Sequence, residues 1–181
     1  MKQSVSLIPA PTVTQPGGYV PVAYADRGTP RTTQAEIAVA AVGKGWKITL
    51  AWACGKPVQD MANETDKFVD ACAVLVPQVA DAPWMSMGEP GKALQGLLWR
   101  PDKSAPFLIH AEGLGSVKRT PAPASAKVSG AWRNGRWQVV FELPEWPALE
   151  KQRQIALAVW QGQEQERAGL KSISAGWLAL D

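Results

Sequence analysis

The sequence predicts an all-β protein: an antiparallel β-sandwich with a proline-rich, irregular N-terminal arm. Short stretches in which apolar and polar residues alternate recur along the chain, the period of a half-buried strand. Turn formers separate these stretches, among them Gly43–Lys44–Gly45 and Asn134–Gly135, both suited to tight hairpins. Helical periodicity is weak and confined to segments such as Pro147 to Gln154. A chain of 181 residues with 46% hydrophobic residues is sized for one domain.

Residues 1–31 read as the arm, because Pro9, Pro11, Pro16, Gly17, Gly18, Pro21 and Pro30 break regular structure. Val13, Tyr19, Val20, Val22 and Tyr24 supply it with apolar anchors. The domain proper spans residues 32–181. Glu36 to Val42 predicts a strand, and Trp46, Ile48, Leu50 and Trp52 mark the next by strict alternation. Phe68 to Val76 is a third strand, stopped by Pro77. Ala80 to Lys92 is a loop with an apolar middle, which needs something to pack against. Ala93 to Trp99 resumes strand character, and Phe107 to His110 is expected at a sheet edge. Thr120 to Ala126 reads as a Pro/Ala/Ser linker. Val128 to Trp132 and Trp137 to Leu143 form a hairpin, with Trp137, Val139 and Phe141 on one face. Ile155, Leu157 and Val159 mark a further strand, and Lys171 to Leu180 closes a set of eight to ten.

Composition excludes several chemistries. One histidine and two cysteines cannot build a multi-histidine zinc site, a bis-histidine haem or a four-cysteine iron–sulfur cluster. Net charge is only +3, and the basic residues form no stripe beyond the pair Lys118–Arg119, so no nucleic-acid partner is expected. No apolar run reaches spanning length, so no membrane span is expected and the chain reads as soluble. There is no nucleophile elbow, phosphate loop or covalent haem-attachment motif. Cys54 and Cys72 are either two buried thiols or one structural disulfide.

Three side chains stand out by position. In the last strand Lys171, Ile173, Ala175 and Trp177 share a face, which puts a lysine in phase with apolar residues. Either its stem lies on apolar surface with the ammonium in water, or it is a neutral amine used as a ligand or base. Met85 and Met87 flank Ser86 beside Trp84, in a loop bounded by proline and glycine. Each is a core filler or a soft thioether ligand for iron. The nine tryptophans suit a sugar-stacking platform or the walls around a large apolar cofactor.

Four blocks in order, FVDACAVLVP, APWMSMGEPGKALQGLLWR, SGAWRNGRWQVVFELP and IALAVWQGQEQERAGLKSISAGWLAL, give the chain a resemblance. It resembles the haem-binding gamma subunits of periplasmic molybdenum enzymes related to dimethyl sulfoxide reductase, the type found with ethylbenzene dehydrogenase, dimethylsulfide dehydrogenase, selenate reductase and chlorate reductase. The resemblance implies one non-covalent b-type haem per chain, with axial methionine and lysine. The methionine maps onto Met87–Gly88, with Met85 as its rival, and the lysine onto Lys171 in the K-S-x-S element. Arg100, Lys92 and Arg167 are candidate partners for the haem propionates, and Trp84 for the pocket wall. It also implies a non-catalytic electron-transfer role in the periplasm. The expected partners are an iron–sulfur beta subunit, a molybdenum-cofactor alpha subunit and a soluble c-type cytochrome or similar carrier. The competing readings are a carbohydrate-binding module and a structural subunit without cofactor.

Overall fold

The computed structural model describes residues 1–11, 28–60 and 68–180. Twelve strands follow one another in the order β1 (Lys2–Pro9), β2 (Gln34–Val42), β3 (Gly45–Ala53), β4 (Ala71–Pro77), β5 (Leu94–Trp99), β6 (Phe107–Ala111), β7 (Lys118–Pro121), β8 (Lys127–Arg133), β9 (Arg136–Leu143), β10 (Gln154–Trp160), β11 (Ser172–Ser174) and β12 (Leu178–Ala179). Among the described residues a short α-helix, α1 (Pro147–Gln152), starts on a proline at its first turn. The all-β expectation holds, and the β8–β9 hairpin turns at Asn134 (φ 51°) and Gly135 (φ 76°), both left-handed as such a turn requires.

The architecture differs from a sandwich of two separate sheets. The strands form one antiparallel sheet in the order β7-β6-β5-β4-β10-β11-β1-β2-β3-β9-β8, with β12 added beside β10. The sheet curls into a half-barrel. Its continuity depends on β1, whose residues Lys2 to Ser6 pair with β2 while Leu7 to Pro9 pair with β11. This corrects the irregular arm over its first nine residues. Pro9 ends a strand rather than interrupting one, and Val5 and Leu7 bury their side chains at period two. Residues 12–27, with the apolar anchors Val13, Tyr19, Val20, Val22 and Tyr24, lie outside the described residues.

Two further expectations change. The segment from Phe107 is not an edge, because β7 pairs outside β6 and takes Thr120 and Pro121 from the expected linker. The last stretch does not run as one strand: β11 stops at Ser174, and the shared face of Lys171 and Ile173 ends there.

The sheet has two cores. Inside the curl, Ile37, Ile48, Leu50 and Trp52 meet Val74, Leu97, Trp99, Trp137, Phe141 and Leu157. The indoles of Trp52, Trp99 and Trp137 pack with ring centroids 4.9–6.4 Å apart. Strands β2, β3 and β9 bury one face only. By contrast β4 and β10 bury both faces, and their other side belongs to a second core with Ala73, Leu75, Ala156, Ala158 and Trp160. Something must cover that outer face, and the Ala80–Lys92 loop contributes to it.

A methionine loop and a lysine on the outer face of the sheet

The middle of the outer face is built mainly of small residues, with the Leu75 side chain lying over Gly96. The register aligns Leu75 with Gly96 and Ala156, and in the next row Ala73 with Leu98 and Ala158. With Ala71, these alanines and the glycine make a floor of small side chains, bordered by Leu94, Leu98, Ile109 and Ile173.

The loop over this face is held by its backbone. Met87 N–H donates to Trp84 O (3.0 Å), Gly88 N–H to Pro83 O (2.8 Å), and Gly113 N–H to Met87 O (2.9 Å). Met87 is left-handed at φ 58°, a conformation that costs a non-glycine residue about 1 kcal/mol. Gly88 has φ 86°, and a Cβ there would stand 2.7 Å from Lys92 O and 3.1 Å from Ala111 O. Only glycine fits that place. Trp84 is buried, donates from Nε1 to Ser174 O (2.8 Å) and packs on Trp177 at 5.4 Å. Trp177 returns a hydrogen bond to Ala82 O (2.9 Å). These bonds clamp the loop to the end of β11. Met85 and Met87 are both half-buried against the second core.

Lys171 enters from the other end. Ser172 pairs with Val159, so the preceding Lys171 lies beside Trp160, its Nζ 5.3 Å from that ring centroid. Lost hydration lowers its pKa to about 8, and the positive charge of Arg119 adds to the effect. The two serines of the K-S-x-S element face the opposite way and are structural. Ser172 Oγ accepts from Thr32 N–H and donates to Glu166, while Ser174 Oγ accepts from Leu157 N–H. The Met87 loop is fixed beside Ala111, at the Leu94 end of the floor, and Lys171 stands at the Trp160 end.

The three expected propionate partners are otherwise engaged. Arg100 is bidentate to Asp102 at 2.9 and 2.8 Å. Lys92 bridges Asp81 (2.7 Å) and Glu89 (2.9 Å), and Arg167 lies 4.5 Å over Phe68 while donating to Gln165 O. Sequence reasoning passed over Arg119 and Trp160 as site residues, because only the register brings them to this face, whereas alternation already places Trp177 on the side of Lys171.

The expected disulfide is absent. Cys54 and Cys72 are free and buried. Cys54 Sγ points to Asp70 Oδ2 (3.7 Å), and burial with that carboxylate pushes its pKa up to about 12. Burial raises the Cys72 thiol as well. Both thiols are therefore neutral core groups.

None of the nine tryptophans is exposed, and only Trp84, Trp160 and Trp177 line the outer face. The other rings fill or border the inner core, so the described residues form no solvent-facing aromatic platform. Among the described residues no three His, Cys, Asp or Glu side chains converge on a metal position, and no haem-sized pocket is evident. A polar recess lined by Arg31, Thr32, Gln34, Glu36 and Arg136 lies beside β2, away from this face. The outer face does offer the donor chemistry a haem needs: an apolar floor, a soft thioether and an amine that burial pushes toward its neutral form.

No protein-family model matches the chain. It is 34% identical over 145 residues to the chlorate reductase gamma subunit of Ideonella dechloratans, covering 74% of this chain and 58% of that protein. It is 30% identical over 173 residues to a protein named as a respiratory nitrate reductase haem subunit from Haloferax mediterranei, covering 88% and 62% respectively. A third relative is the dimethylsulfide dehydrogenase gamma subunit of Rhodovulum sulfidophilum, 27% identical over 160 residues, covering 78% of this chain and 58% of that protein. The chain thus spans about three fifths of the length of these relatives.

Proposed function

We propose that this chain, a homologue of gamma and haem subunits of oxidoreductases in the dimethyl sulfoxide reductase family, is a non-catalytic electron-transfer subunit carrying one non-covalent b-type haem. The observation that carries this reading is the small-residue floor with Met87 at one end and Lys171 at the other. Such a group, when bound, supplies a one-electron iron centre that cycles between ferric and ferrous states.

The chain's own part is to hold and to exclude. Met87 offers a thioether on a backbone fixed by three hydrogen bonds, which favours it over Met85 as the axial sulfur. Lys171 offers an amine whose proton is already loosened by burial, so less free energy is needed to bare its lone pair. Trp84, clamped to Ser174, keeps water from the loop side. Met87 and Lys171 would hold the iron and leave no ligand place for a substrate, so the subunit would relay electrons without catalysing.

In this reading the chain works in the periplasm, with an iron–sulfur beta subunit and a molybdenum-cofactor alpha subunit. It passes electrons to or from a soluble c-type cytochrome or similar carrier. A carbohydrate-binding role is disfavoured by the inward tryptophans, and a cofactor-free subunit leaves the desolvated lysine without a purpose.

The test is a spectrum of the purified native protein, oxidised and then reduced. A sharp reduced alpha band, with pigment extractable by acidified organic solvent, is expected. Lys171→Ala and Met87→Ala should each abolish the six-coordinate low-spin signature, while Met85→Ala should keep it. A colourless, folded native protein overturns the haem reading; an unchanged axial signature in Lys171→Ala overturns the ligand assignment.

A further inference from the structure

A b-type haem carries two propionate carboxylates, and the proposed reading leaves them without a free cation. We propose that Arg119 receives a haem propionate, an inference that rests on that reading and extends it to the anionic edge of the group.

Arg119 sits on β7, paired with Ile109. Ile109 pairs with Gly96, Gly96 with Leu75, and Leu75 with Ala156. Ile109, Leu75 and Ala156 belong to the outer core, so residues in this row project to one face. Arg119 therefore stands at the open edge of the same row that crosses the middle of the floor, between the Met87 and Lys171 ends. Its neighbour Lys118 pairs with His110 and projects to the other face.

The charge balance around it points the same way. Arg119 has no acidic partner among the described residues. The charges that act on it or that it acts on, Arg100 and Lys171, are both positive. Arg100 already has Asp102, and Lys92 already has Asp81 and Glu89. A guanidinium held beside like charges at the rim of an apolar floor lacks only a planar anion, and a carboxylate matches its paired N–H groups. Arg119 is thus a binding and positioning residue: it fixes the edge of the cofactor and sets a positive charge near the lysine.

The test compares haem with haem dimethyl ester, the same ring with both propionates capped, each loaded into the full chain. The readout is the rate of pigment loss to excess apomyoglobin. The unmodified chain should release the ester about five- to tenfold faster than the free acid, the scale of one charge-assisted pair. Arg119→Gln should release both pigments at similar rates while keeping the low-spin spectrum, and Arg100→Gln should retain the difference. The proposal is overturned if Arg119→Gln keeps the full ratio, or if Arg100→Gln alone removes it. A ratio near one in the unmodified chain overturns it without any variant. Failure of the unmodified chain to take up either pigment overturns instead the haem reading beneath it.

Discussion

The carboxylate of Asp70 is fully buried and accepts from Gly162 N–H (2.7 Å), Trp137 Nε1 (2.8 Å) and Val58 N–H (3.0 Å). Burial raises its pKa, and the donors only partly oppose this. One side chain thereby ties the entrance of β4 to the exit of β10 and to β9, where the floor and Lys171 begin. Asp70→Ala orphans those donors and should cost about 3 kcal/mol or more in a urea titration. Lys171 carries the opposite linkage. Its folded pKa of about 8 lies below the usual lysine value, so between the two the unfolded chain binds more protons than the folded one. Stability of the haem-free chain should therefore rise as pH increases through about 8 toward the ordinary lysine range, and Lys171→Met should flatten that slope. A slope unchanged by the substitution would place the ammonium in water. The buried thiols give a simpler check. Without reductant, a thiol reagent should count none in the folded chain and two after unfolding.

At the scale of elements, the Ala80–Lys92 loop is the feature whose local chemistry and global role agree. Its apolar middle announces in the sequence that it packs on something. Its left-handed pair Met87–Gly88 and its indole clamp then fix where. Gly88→Ala forces a Cβ into Lys92 O at a positive φ, and should cost about 2 kcal/mol in a urea titration. Trp84→Phe keeps an aromatic ring but loses the pyrrole half and the bond to Ser174 O, an expected loss of about 1 kcal/mol or more by thermal melting. The K-S-x-S element shows how far phase reasoning reaches. Alternation correctly sets Lys171 and Ile173 apart from the serines, because the period of two is a property of the backbone. It fails beyond Ser174, where the chain bends away and Trp177 reaches the outer core from outside the strand.

The whole molecule turns on β1, which joins the two halves of the curled sheet and so makes both faces of β4 and β10 part of one unit. Removing residues 1–9 should abolish the single cooperative transition, followed in parallel by tryptophan fluorescence and far-ultraviolet circular dichroism; coincident, undiminished melting would contradict that role. Its pairing with two neighbours is not legible locally, because prolines dominate the stretch behind it and the strands that pair with it lie 28 or more positions away. The class of fold, most strand positions, the hairpin turns and the unusual lysine and methionines are decided by local sequence, since alternation and turn chemistry act over a few residues. Tertiary structure alone decided that the sheet is one continuous curl, that Cys54 faces Asp70 instead of Cys72, and that Arg119, without an acidic partner among the described residues, stands at the edge of the floor row. Those outcomes depend on which strands become neighbours and in what register, and no short stretch of chain contains that information.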